Sequence, residues 1–383
     1  VVRTFPLIAT LLLVATSAPL TAADARQDFR TAARSARHCD STFQLFAQSL
    51  TPADALNVYA EVLEKLGQTH PDPRGSGPAV LYAHGLTELD RALDDPSFRD
   101  AHLPGTPDDR RLAFQRTLRD EWKARVPLTV RDARQAVYDL LRDGQAVLNL
   151  RTPAALVLEF VCGACQGLDD YTQFLAAVPD AVAAMTTVPE AVLIAGHDGI
   201  GYLRLSAFRE FTVRELEDAV TRLRGDGLRV LIVDLRGNPG GLLQVAFAVA
   251  QKFQPHGIIA TTQSRTPEFA GRVFSSDSGA TAWDVPLVVL IDGTTMSAAE
   301  VVAAAWKEQQ RATLVGVPTF GKGAVQSAPQ KLHKGALIVT IAKLFGPLGK
   351  PLDGTGVTPH HAEPDPARQL DLAVLKAREM IAR

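Results

Sequence analysis

Apolar spacing divides the chain into two textures that meet near Gly199. From about Gln27 to Leu175, apolar positions recur at helical intervals. Leu56, Tyr59, Leu63 and Leu66 fall on one face behind the helix start Thr51, Pro52 and Asp54, and Val130, Ala133, Val137 and Leu140 repeat the spacing. HPDPRGSGP from His70 and LPGTPDD from Leu103 are loops. Beyond Gly199 the pattern becomes short continuous apolar runs: GIGYLRL, LRVLIVDL, VPLVVLID, ATLVGV and GALIVTIAKL. Such runs predict strands buried on both faces. Between them lie predicted helices over 212–224, with Thr212 and Glu215 as a capping box, over 242–253, and from Ser297 to about Gln310. Strands alternating with helices predict an α/β fold with a mainly parallel sheet, preceded by an all-helical region. The segment from Asp365 to Arg383 predicts a final amphipathic helix carrying Leu370, Val374, Ala377 and Ile381.

Composition narrows the class without naming a chemistry. An apolar fraction of 46% over 383 residues excludes a disordered or collagen-like chain. Lys+Arg 40 against Asp+Glu 42, a formal charge of -2, offers no basic excess for a nucleic-acid partner. At the start, Arg3 precedes an apolar run from Phe5 to about Thr16 and small residues ending in Thr21, Ala22 and Ala23, the order of a secretory signal cleaved near Ala23. The run is too short and too interrupted for a membrane span, and it holds no cysteine for lipid attachment, so an exported, periplasmic or extracellular protein is expected. Cys162 and Cys165 form CGAC and Cys39 stands alone; three cysteines cannot build a disulfide scaffold, and with His38 they supply too few ligands for a zinc site. The pair is read as structural or incidental, and no metal or cofactor is expected.

Candidate chemistry lies in three loops that follow three predicted strands, which a parallel sheet gathers along one edge. DLRGNPGG, Asp234 to Gly241, brings glycines that expose backbone N–H groups to a phosphate or an oxyanion. GTTMSAAE, Gly293 to Glu300, puts Ser297 at a helix start, where it is either a cap or a hydroxyl under the positive end of the helix dipole. TFGKGAVQ, Thr319 to Gln326, puts Lys322 between two glycines. That lysine is either a solvated charge or, if desolvated beside Ser297, a general base whose pKa falls from about 10.4.

The order of these loops resembles the catalytic core of the carboxyl-terminal processing (tail-specific) proteases, serine peptidase family S41. The resemblance runs from Gly199 to about Pro359, with GIGYLRLSAF and PLGKPLDGTGVTP at its ends, and reaches back to GLDDYTQFL, Gly167 to Leu175, which looks like the family's LDPHSxYL. It implies a ClpP/crotonase-like core, a nucleophile at Ser297, a general base at Lys322 and an orienting glutamine at Gln326. It also implies an oxyanion hole made of the backbone N–H groups of Gly240 and Ala298, acting on protein or peptide substrates through a Ser-Lys dyad.

Two features depart from the family. Only about two dozen residues separate Leu175 from Ile200, where the family usually inserts a PDZ domain. That spacing predicts the absence of a PDZ module and of its capture of substrate tails, leaving a protein that is ungated or takes its selectivity from the N-terminal helices or an adaptor protein. The nucleophile loop reads TTM where small residues and serines are usual. The resulting domain expectation is a signal peptide over 1–23, a helical region over 24–176, a linker over 177–198, a peptidase core over 199–364 and a C-terminal helix over 365–383. The alternative is a catalytically degenerate module of the same fold that binds a peptide or an apolar ligand. A crotonase-type acyl-CoA enzyme would need a different acid-base set, no GxSxG elbow supports a Ser-His-Asp triad, and His360 and His361 read as solvated loop residues.

Overall fold

The computed structural model describes residues 31, 33–177, 186–197, 199–277 and 282–382. The export segment 1–23 lies outside the described residues. A helix over 33–39 (α1) leads into α2 (Ser41–Ser49), α3 (Pro52–Thr69), α4 (Pro78–Asp94), α5 (Pro96–His102), α6 (Asp108–Thr117), α7 (Val130–Val147) and α8 (Pro153–Leu168). Thr51 and Asp54 form a capping box at the expected start of α3, and Leu56, Tyr59, Leu63 and Leu66 are buried. The axis of the region is α8, buried on every side. It meets α4 through glycine: a Cβ on Gly163 would lie 2.7 Å from the His84 carbonyl oxygen, so only glycine allows this approach. Cys162 and Cys165 are free thiols inside α8, where burial pushes Cys162 up to about 12.

The second texture folds into three sheets, which also take in β1 (Gln173–Leu175), a strand that ends the region expected to be all helical, and β2 (Glu190–Leu193) from the stretch before Gly199. The first contains β1, β10 (Gln330–Lys331) and β11 (Ala336–Ile338), ordered β1-β11-β10. The main sheet contains β2, β3 (Ile200–Arg204), β4 (Val230–Asp234), β7 (Leu287–Ile291), β8 (Ala312–Gly316) and β13 (His361–Ala362), ordered β13-β8-β7-β4-β3-β2. All its pairs are parallel except β2–β3. The remaining sheet is antiparallel, β6-β5-β12-β9, from β5 (His256–Ser264), β6 (Val273–Asp277), β9 (Ala324–Gln326) and β12 (Thr340–Phe345). Helices α9 (Thr212–Gly225), α10 (Leu243–Phe253) and α11 (Ala298–Glu308) pack on one face of the main sheet, and α12 (Pro366–Ile381) packs on the other. Strand β4 shows why its run lacks polar alternation: Leu231 and Val233 join the cluster under α9–α11, while Val230 and Ile232 join the cluster under α12.

Three sequence expectations change locally. GALIVTIAKL is not one strand: it breaks at Val339, so that β11 serves the first sheet and β12 the antiparallel one. Val339 and Thr340 at the break are themselves buried, so the apolar run continues across it, with two adjacent buried residues in β11 and alternation only in β12. Thr212 and Glu215 form no capping box; Phe211 is the cap residue, and the Glu215 carboxylate accepts from the N–H and the hydroxyl of Thr187, both at 2.7 Å. That bond anchors the chain entering β2. The stretch 177–198, expected as a linker, therefore contributes an edge strand to the main sheet.

Candidate active site

The three loops converge at the carboxyl ends of β4, β7 and β8, laced by backbone bonds. Met296 N–H donates to the Asn238 carbonyl at 3.0 Å, and Phe320 N–H to the Thr295 carbonyl at 3.1 Å. In the first loop, buried Asp234 is held by Arg236, with Nη2 to Oδ2 at 2.6 Å, and by the Tyr202 hydroxyl at 2.8 Å. Arg236 also donates to Gln369 Oε1 at 3.1 Å, tying the loop to α12. Gly240 follows with φ +91, and a Cβ there would lie 2.9 Å from the Ala298 nitrogen and from the Ser297 Cβ. The glycine is thus required for two reasons, its φ and the closeness of the serine loop.

Ser297 occupies the cap position of α11 with φ 58 and ψ -121. With Gln310 it is one of two non-glycine residues at positive φ among those described. Such a conformation costs of order 1–3 kcal/mol and persists only when neighbours enforce it. The enforcing group is Glu300. Its buried carboxylate accepts from Ser297 N–H at 2.8 Å, from Lys322 N–H and Gly321 N–H at 2.7 Å, and from the Thr319 hydroxyl at 2.5 Å. One anion therefore joins the serine loop to the lysine loop. Burial pushes its carboxyl above the ordinary range, against the pull of the four donors.

Lys322 is partly buried, and burial lowers its pKa, opposed by the charges of Asp169 and Glu300. Its Nζ donates to Gln326 Oε1 at 2.8 Å and stands 5.0 Å from the centre of the Tyr171 ring. The structure thus brings together all five expected positions, Ser297, Ala298, Lys322, Gln326 and Gly240. Two details of that grouping matter. The hydrogen bond of Lys322 Nζ runs to Gln326, with none to Ser297 Oγ, and the Gly240 N–H donates to Asn238 Oδ1 at 2.8 Å. His360 is exposed, and its Nδ1 accepts from Leu314 N–H at 2.9 Å, so it braces a sheet edge away from the site. Among the described residues no group of His, Cys, Asp and Glu is arranged to hold a metal.

Sequence reasoning missed the clamp role of Glu300, the Asn238 side chain and the reach of Tyr171. Glu300 had a visible signal, an acid at the third position of a helix. Tyr171 acts partly through its carbonyl, which leaves no trace in residue type.

Residues 199–362 match the family described as Peptidase family S41. The carboxy-terminal-processing protease of Bartonella bacilliformis is 39% identical over 164 residues, covering 42% of this chain and 38% of that protein. The carboxyl-terminal-processing protease of Synechocystis sp. is 38% identical over 167 residues, covering 44% of this chain and 38% of that protein. The matched stretch thus spans about two fifths of each relative. Among solved structures, the photosystem II D1 C-terminal processing protease aligns with 51% of this chain and 48% of that one, at 28% identity and a TM-score of 0.40.

Proposed function

Residues 199–362 belong to peptidase family S41, and on that premise we propose that the chain is a serine endopeptidase working through a dyad of Ser297 and Lys322. The observation that carries this reading is the Glu300 clamp, which fixes the backbone of both residues to one carboxylate. Neutral Lys322 takes the Ser297 proton as Oγ attacks a peptide carbonyl, then returns it to the leaving amine. Gln326 holds Nζ in direction, and water afterwards hydrolyses the acyl-enzyme. The N–H groups of Ala298 and Gly240 receive the oxyanion, each worth about 3 kcal/mol. For Gly240 this requires exchanging its bond to Asn238 Oδ1 for one to the substrate.

That engaged N–H, together with the missing Ser297–Lys322 bond, favours a second reading, a degenerate module that binds peptide or apolar ligand without cleaving it. Cleavage of casein by wild type, Ser297→Ala and Lys322→Ala separates the two. The peptidase reading expects a loss of at least about a thousandfold in both variants; equal cleavage by all three sinks the dyad. Because Lys322 must be neutral to act and burial lowers its pKa, the rate rises with pH and levels off below the ordinary lysine range.

The substrates are proteins or peptides, with no nucleic acid involved. The short stretch between Leu175 and Ile200 supports selectivity without a PDZ domain, from the helical region or an adaptor. Paired peptides with free and amidated C-termini test this, since cleavage at equal rates is expected. Export follows from the charged and apolar order of the first residues, and no described helix is long and apolar enough to cross a membrane.

A further inference from the structure

The base and its orienting glutamine do not face only the peptidase core. Directly after α8 the chain runs Asp169–Thr172, and this segment of the helical region reaches them. The Tyr171 carbonyl accepts from Gln326 Nε2, while the Tyr171 ring faces Lys322 Nζ at 5.0 Å. The first contact decides which way the amide points. With Nε2 committed to a carbonyl, Oε1 is left to accept from the lysine at 2.8 Å; the flipped amide would set two donors against an ammonium that only donates. The second contact gives the ammonium a π-face on which to rest.

The segment is itself held firmly. Asp169 Oδ1 accepts from Tyr171 N–H at 2.7 Å and Thr172 N–H at 2.6 Å, and Oδ2 accepts from the Thr172 hydroxyl and faces His70 Nε2, both at 3.0 Å. His70 ends α3, and Arg265, just beyond β5, donates from Nη1 to the Gly67 carbonyl of α3 at 2.7 Å. Next along the chain, β1 pairs with β11. Tyr171 is therefore fixed from the helical side and from the peptidase side at once.

We propose that Tyr171 is a positioning residue for the general base: its carbonyl sets the Gln326 amide and its ring steadies the Lys322 ammonium, so that the helical region completes the active site. The inference rests on the dyad reading above. The charged groups facing Lys322 are Asp169 from the helical side and Glu300 from α11.

The test follows the Lys322 ammonium directly, by titrating the carbon-13 resonances of labelled lysines in the full chain, with Lys322→Arg identifying its peak. Tyr171→Leu keeps the carbonyl and the bulk but removes the π-face, and Tyr171→Phe keeps the face. Loss of the ring weakens the charged form, so the midpoint in Tyr171→Leu is expected about one pH unit lower, with Tyr171→Phe matching wild type. Asp169→Asn, which removes a charge that favours the ammonium, moves the midpoint the same way. The pH limb of casein cleavage should follow each shift. A wild-type midpoint in Tyr171→Leu overturns the proposal, and so does an equal fall in Tyr171→Phe. Shifted midpoints without cleavage by any form would instead fail the dyad reading and leave the Tyr171–Lys322 contact standing.

Discussion

Two buried glutamates, one in each half of the molecule, solve the same electrostatic problem in opposite ways. Glu159 on α8 and Glu300 on α11 are both fully buried. Glu159 meets charge with charge in Arg37, whose Nη2 lies 2.8 Å from Oε2; the His38 ring packs beside it, with Nε2 3.3 Å from Oε1. Nearby, Glu88 takes Arg34 in two bonds of 2.8 and 2.7 Å. Glu300 meets backbone N–H groups and one hydroxyl instead. The pKa directions follow. Both carboxyls are penalised by burial, but the Arg37 charge overcomes this and holds Glu159 well below the ordinary range, whereas Glu300 is left raised. Opposite charges tie helices to each other. Backbone donors shape loops, and only the second arrangement can set the conformation of a strained serine.

The largest effect is expected from Glu159→Ala, which removes the nearer of the two carboxylates on Arg37, leaving only Glu88 at 3.2 Å, and takes the carboxylate away from His38. We expect a loss of about 3–5 kcal/mol in chemical denaturation, with casein cleavage per folded molecule unchanged. Mild acid should find the same region next. Buried His102 lies beside His38, and burial, then that neighbour, lower its pKa to about 4. Its folded pKa lies below the unfolded value of about 6.5, so the stability it supports is present above about pH 6.5 and lost as pH falls towards 4. A decline of about 2–3 kcal/mol is expected in a pH series of denaturation curves, and His102→Asn should flatten it.

Glu300→Gln sharpens the other half. Replacing one acceptor oxygen by an NH2 group sets donor against donor, at a cost of about 2 kcal/mol in stability. Cleavage should fall by more than about tenfold in the same preparation, so activity suffers where Glu159→Ala spares it. The smallest effect belongs to the exposed pair Lys376–Glu379, 3.0 Å apart on α12. Lys376→Ala should change the stability read from denaturation by no more than about 0.5 kcal/mol.

What could be read from residue order follows the same division. The parallel strands were legible because both faces of β4 and β7 are buried, so their apolar runs carry no polar interruption. The helices of the first half were legible from spacing and from the helix start at Thr51, Pro52 and Asp54. The break at Val339 was not, since Val339 and Thr340 are buried like their neighbours and leave no polar interruption where the strand changes sheets. Nor was the fate of Glu215, because a capping motif shows only that a partner exists nearby, and the tertiary partner Thr187 won. In the site, residue types pointed to Ser297, Lys322 and Gln326. The contact that orients Gln326 comes from the backbone carbonyl of Tyr171, 155 positions earlier, and carbonyls are the same in every residue.

On the dyad reading, Lys322 activates Ser297. The most direct test of that reading is a fluorophosphonate probe applied above the lysine limb, with the adduct located by mass spectrometry in wild type and Lys322→Ala. A single adduct on Ser297 is expected in wild type, formed at least about a hundredfold more slowly in Lys322→Ala. An adduct on another serine, or equal labelling of Ser297 in both proteins, would contradict it.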